Sequence, residues 1–176
     1  MASGISRRPQ DDGEGGRALR GLVQTFIRSV GLLSDDATPC GRPLAVSHAH
    51  ALMVLLEHAR RGESPAQRDL GSVLCIDKSN VARLCAKMVR AGHLVQERSR
   101  HDGRARLLAL TPRGRRVAAA VERSSCARFE ELFTALPDEE RPAVLAGLAA
   151  LNETLGAAPP RERTRGGLRK NGRSSR

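Results

Sequence analysis

The segment Ser64-Pro65-Ala66-Gln67-Arg68-Asp69-Leu70-Gly71-Ser72-Val73-Leu74-Cys75-Ile76-Asp77-Lys78-Ser79-Asn80-Val81-Ala82-Arg83-Leu84-Cys85-Ala86-Lys87-Met88 decides the fold. Ser64-Pro65-Ala66-Gln67 reads as a helix start: serine can cap, proline suits the first helical position, and Gln67 can close a capping box. The helix it opens is expected to bury Leu70 and Val73 and to end around Leu74-Cys75. Asp77 can cap a second helix, whose apolar face is Val81, Leu84, Cys85 and Met88 and which Gly92 ends. Its opposite face carries Ser79, Asn80, Arg83 and Lys87. A short helix pair with a polar, basic face on its second member is the sequence form of a helix-turn-helix.

Downstream, residues 94–100 and 105–111 read as two short strands around the turn signal Asp102-Gly103. Arginines cluster at and beside that turn: Arg98, Arg100, Arg104 and Arg106. A hairpin wing of this kind offers a second contact, to phosphates or to the minor groove. The whole of 64–116 thus predicts a winged helix-turn-helix.

The flanks are helical. Leu19, Leu22, Val23, Phe26, Ile27, Val30 and Leu33 follow the spacing of an amphipathic helix. Residues 35–43, with two prolines and a glycine, form a loop. A second helix begins near Ser47 and runs through Leu52, Leu55 and Leu56 to Gly62. Thr111-Pro112 repeats the cap-plus-proline start and opens a long helix with Val117, Val121, Phe129, Leu132 and Phe133. Pro137-Asp138 breaks it, and a last helix aligns Val144, Leu145, Leu148, Leu151 and Leu155. Pro142 is tolerated there because it falls in the first turn. The expected class is mainly α with a small β-hairpin wing.

The formal charge of +11 on 176 residues calls for an anionic partner, nucleic acid before a membrane surface. More than half of it lies in the tail, where Arg161, Arg163, Arg165, Arg169, Lys170, Arg173 and Arg176 oppose only Glu162. Residues 1–16 and 157–176 are expected to be disordered. No apolar run is long enough to span a membrane and no signal peptide is evident, so the expected location is cytoplasmic. Tryptophan and tyrosine are absent, which argues against stacking platforms for single strands. Cys40, Cys75, Cys85 and Cys126 form no CxxC pair, so neither a structural zinc site nor a disulfide framework is expected. Cys75 and Cys85 read as small buried hydrophobes, and Cys126 lies on the long helix. His48, His50 and His58 surround the second helix without a carboxylate cluster, and no metal or cofactor is expected. No nucleophile–base pair or phosphate loop suggests an enzyme.

The order of parts, together with Asp102-Gly103-Arg104-Ala105-Arg106-Leu107-Leu108-Ala109-Leu110-Thr111-Pro112-Arg113-Gly114, resembles the MarR family of bacterial transcriptional regulators over residues 17–156. That family's wing has an acidic residue, an arginine two positions on, and an apolar strand running into Leu-Thr-x-x-Gly. It often has arginine where Gly103 stands, so this wing carries one contact fewer. The resemblance implies a homodimer held by the helices of residues 17–34 and 112–156, with two lobes spaced to read a palindrome in double-stranded DNA. It implies a repressor released by a small-molecule effector.

The DNA-facing set is then Lys78, Ser79, Asn80, Arg83 and Lys87 on the second helix of the pair, with Arg98, Arg100, Asp102, Arg104 and Arg106 on the wing. Ser79 and Asn80 reach bases or phosphates, or serve only as caps. Arg83 reads guanine. Arg104 enters a narrow minor groove, and Asp102 orients the arginines or simply starts the turn. Two other readings stay open: a thiol-based redox sensor, and a basic architectural or RNA-binding protein.

Overall fold

The computed structural model describes residues 12–33, 37–98 and 105–157. Among these described residues, six helices and one two-stranded antiparallel sheet follow in the order α1 (Asp12–Ser29), α2 (Val46–Arg60), α3 (Gln67–Val73), α4 (Lys78–Arg90), β1 (Leu94–Arg98), β2 (Arg106–Leu110), α5 (Pro112–Thr134) and α6 (Arg141–Ala157). The chain forms two compact units, one through Glu131 and one from Leu132 onward.

The core of the first unit joins α2, α3, α4, the hairpin and the start of α5. Ala51, Leu52 and Leu55 from α2 meet Leu70, Val81, Cys85 and Met88, closed off by Leu94, Leu108 and Ala118. Each large side chain so buried contributes roughly 1.5–3 kcal/mol. Buried and more open positions alternate at the core end of the hairpin. Leu94 pairs with Leu110 and Gln96 with Leu108, while Arg98 pairs with Arg106 at the far end.

Three glycine-type turns set the geometry. At Gly62 and Gly92, with φ of 73° and 70°, α2 and α4 end in the left-handed conformation glycine accepts freely. The third, after α3, uses Cys75 at φ 52°. There Cys75 N–H donates to Ser72 O and Ile76 N–H to Gly71 O, the double bond pattern of a Schellman turn. Cys75 is exposed, not buried as expected, because a residue at this turn projects away from the helix pair. Val73 is likewise 58% exposed. A helix of seven residues turns one narrow stripe inward, and Leu70 and Gly71 occupy it.

The start of α3 also differs from expectation. Ser64-Pro65-Ala66 is not its first turn: Ala66 bridges Leu107 of β2, and Leu108 N–H donates to Pro65 O at 2.9 Å. Proline supplies an acceptor without needing a donor, so it suits this edge position. Asp69, rather than Gln67, closes back on the helix start, taking the Ala66 N–H at 3.0 Å. At the other end of the wing, Thr111 caps α5 as expected: its hydroxyl donates to Gly92 O at 2.7 Å and accepts from Gly114 N–H at 2.9 Å.

α1 begins at Asp12, five residues ahead of the expected Arg17. Glu14 in its first turn suits the positive end of the helix dipole. Its apolar residues remain open to solvent, Leu22 at 71% and Phe26 at 50%. In the second unit, Arg141 at the head of α6 donates to Phe133 O and Thr134 O, and its guanidinium sits over the Phe133 ring. Leu145, Leu148 and Leu155 of α6 are more than half exposed. Among the described residues no helix is long and apolar enough to cross a membrane.

Candidate nucleic-acid interface

α4 divides into two faces. Val81, Leu84, Cys85 and Met88 are buried. Lys78, Ser79, Arg83 and Lys87 are exposed and Asn80 is half-buried. Close approach of α3 makes this possible: a Cβ on Gly71 would stand 3.3 Å from Val81 Cγ1. The polar face therefore points away from the core as one continuous strip.

Hydrogen bonds tie the first turn of that strip together. Asp77 Oδ1 accepts from the Ser79 N–H at 2.9 Å, the Ser79 hydroxyl at 2.7 Å and the Asn80 N–H at 2.8 Å. Asp77 Oδ2 accepts from the Asn80 amide at 2.6 Å. Asn80 Oδ1 in turn accepts from Arg83 Nη2 at 2.7 Å. Bonds from the Asn80 backbone, then the Ser79 hydroxyl, hold the Asp77 carboxyl down at about 2. The cap is Asp77 rather than Ser79, whose hydroxyl only donates to it, and Asn80 links that cap to Arg83.

The wing is tied to the same helix pair. Gln96 of β1 donates to Gln67 of α3 at 3.0 Å, which fastens the hairpin to the helix pair. Arg98 and Arg106 are directly opposite in register and both exposed. Like charges so placed repel unless an anion lies between or beside them. Arg100, Asp102 and Arg104 lie outside the described residues.

Sequence reasoning missed His93. It is buried at the joint between α4 and β1, with Nδ1 3.0 Å from Nε2 of the equally buried His48. Its carbonyl accepts from Thr111 N–H at 3.1 Å. Burial, then the neighbouring His93 and Lys87 charges, push His48 down to about 4; burial and Arg113 lower His93. The only visible signal was a histidine directly after the helix-ending Gly92. The three histidines read as a group separate: His48 faces inward, His50 is exposed, and His58 pairs with Glu63 at 2.7 Å. No group of three metal-ligating side chains occurs among the described residues.

A cavity of about 350 Å³ opens beside His93, lined by Arg42, Pro43, Leu44, Arg116, Val117, Ala120 and Val121. Arg42, part of that lining, is held by bonds to Ser124 Oγ at 2.9 Å and Ala120 O at 3.3 Å. The lining is mainly aliphatic, with Arg42 and Arg116 as its cations. Cys85 is buried and its thiol is pushed up to about 11, which leaves it protonated and unreactive.

Residues 43–105 match the model of the MarR family. No curated protein matches the chain in sequence. Among solved structures, Streptococcus pneumoniae FabT in complex with DNA is similar at a TM-score of 0.66 and 19% identity, covering 80% of this chain and 96% of that one. The PcaV transcriptional regulator of Streptomyces coelicolor gives 0.61 and 20%, covering 82% and 98%. The MepR–DNA complex of S. aureus gives 0.57 and 21%, covering 63% and 80%. At these identities the likeness is one of fold.

Proposed function

We propose that this chain is a transcriptional regulator of the MarR type: a cytoplasmic homodimeric repressor that binds an inverted-repeat operator and is released by a small-molecule effector. The observation that carries the reading is the polar strip of α4, Lys78, Ser79, Asn80, Arg83 and Lys87, together with the exposed pair Arg98 and Arg106 on the hairpin fastened to the helix pair. Short polar side chains in the first turn suit base edges, and Arg83 suits guanine. The wing arginines suit phosphates, with Arg104 in the minor groove. FabT and MepR are described as DNA complexes, which agrees with this assignment.

A second copy of the chain is the proposed cover for the open apolar faces of α1 and α6. The cavity beside His93 is the proposed effector site, since it adjoins the joint that carries α4 into the wing. A ligand that favours one setting of that joint shifts the population between binding and released states. The chemistry is that of a binding protein rather than an enzyme.

Selection from a random-sequence duplex library, with sedimentation of the free protein, tests the reading. Expected are a stable dimer and a palindrome whose half-site centres lie ~10 bp apart or a multiple of it. A monomer at micromolar concentration that binds single half-sites would overturn the dimeric part.

A further inference from the structure

Asn80 is held from both ends. Its NH₂ group donates to Asp77 Oδ2 at 2.6 Å, and its carbonyl accepts from Arg83 Nη2 at 2.7 Å. A carboxylate has no proton to give, so Asp77 dictates which end of the Asn80 amide turns toward it. The carbonyl is left facing Arg83. Asp77 is the cap of α4, and Asn80 and Arg83 follow it at steps of three, so each side chain neighbours the next.

On the reading of α4 as the DNA-contacting helix, we propose that Asp77 is a positioning residue for base recognition. Acting through Asn80, it sets the direction in which the Arg83 guanidinium enters the major groove. Arginine has five donors, and one bond to Asn80 leaves enough for a two-bond contact with guanine. A side chain already held in one direction loses less freedom on binding, so the gain appears when the correct base is present. The negative charge of Asp77 acts oppositely on phosphates, which it repels whatever the sequence. Removing that charge therefore raises general DNA affinity while lowering discrimination. A residue that only caps the helix does not separate those two quantities.

The test uses the full-length protein and a duplex site selected by it from a random-sequence library. Wild type, Asp77→Asn, Arg83→Ala and the double variant are titrated against that site, against each single base-pair change in it, and against random duplex. Asparagine caps helices as well as aspartate, so thermal unfolding of Asp77→Asn stays near wild type. Its NH₂ group, however, meets the NH₂ group of Asn80 and the fixed polarity is lost. Asp77→Asn is expected to lose about tenfold discrimination at the base pair where Arg83→Ala also loses it. Its affinity for random duplex rises, and the double variant matches Arg83→Ala, as members of one coupled unit do. Asp77→Ser, which caps but lacks the second oxygen, gives the same result and stands in should the asparagine variant unfold. Retained discrimination, or a loss spread evenly over all positions, would overturn the positioning role while leaving DNA binding in place. A wild-type protein that enriches no duplex sequence would overturn the DNA reading of α4, and this role with it.

Discussion

His48 Nε2 and His93 Nδ1 face each other at 3.0 Å inside the first unit, linking the first turn of α2 to the joint between α4 and β1. One nitrogen must donate and the other accept, so the contact needs a neutral acceptor ring. The charged groups bearing on the pair, Lys87 and Arg113, are both cations and oppose a second proton. Above 6.5, the ordinary histidine value, both folded and unfolded chains carry His48 neutral, and the contact contributes fully. As pH falls below 6.5 the unfolded chain takes up a proton that the folded chain refuses until about 4. Stability is therefore expected to drop through that window by on the order of 3 kcal/mol and then to level for this group. Urea unfolding at several pH values measures it, and His48→Leu should remove most of the slope. An unchanged slope in that variant would place the acid sensitivity elsewhere.

Gly114 lies against the same joint. A Cβ there would stand 2.0 Å from His93 O and 2.8 Å from His93 C. These are backbone atoms fixed by the Thr111 bond, so neither side can yield cheaply. Gly114→Ala is expected to cost roughly 3 kcal/mol, at the upper end for overpacking. Denaturant midpoints give the value, and a loss below 1 kcal/mol, the lower end of that range, would mean the α5 start can slide away from His93.

Cys75 occupies a position that favours glycine. Left-handed backbone costs a non-glycine residue roughly 1–2 kcal/mol, so Cys75→Gly should stabilise the turn between α3 and α4 by about 0.5–1 kcal/mol. Cys75→Val should destabilise it, because branching at Cβ crowds that conformation further. The order Gly above Cys above Val in thermal midpoint is the expected outcome, and valine equal to cysteine would contradict it.

Arg98 and Arg106 combine opposite effects. Replacing either with alanine removes a cross-strand repulsion, so folding stability should rise by a few tenths of a kcal/mol. DNA affinity should fall, and the slope of log affinity against log salt should shrink by about 1 for each arginine removed. Base preference should stay as it is, since phosphate contacts carry no sequence information directly. A change in the selected site on Arg106→Ala would show that the wing base reads bases.

The sequence by itself determined every helix, the hairpin and the two faces of α4. Those signals are local: period 3.6 for Val81, Leu84, Cys85 and Met88, an Asp77 cap, a Thr111-Pro112 start and glycine stops at 62 and 92. They depend on neighbours within a few positions, which a linear reading contains. Only the tertiary structure decided the rest. Pro65-Ala66 became a strand partner of β2 because a hairpin more than 40 positions away supplied the donor. Cys75 took a glycine's place in the left-handed turn that ends α3 and leads into α4. His48 met His93, 45 positions apart, because α2 packs across the α4–β1 joint. Arg98 opposite Arg106 follows from register, which burial of Leu94 and Leu110 fixes from the core end. Long-range pairing depends on how faces are buried together, and that is settled when the chain packs.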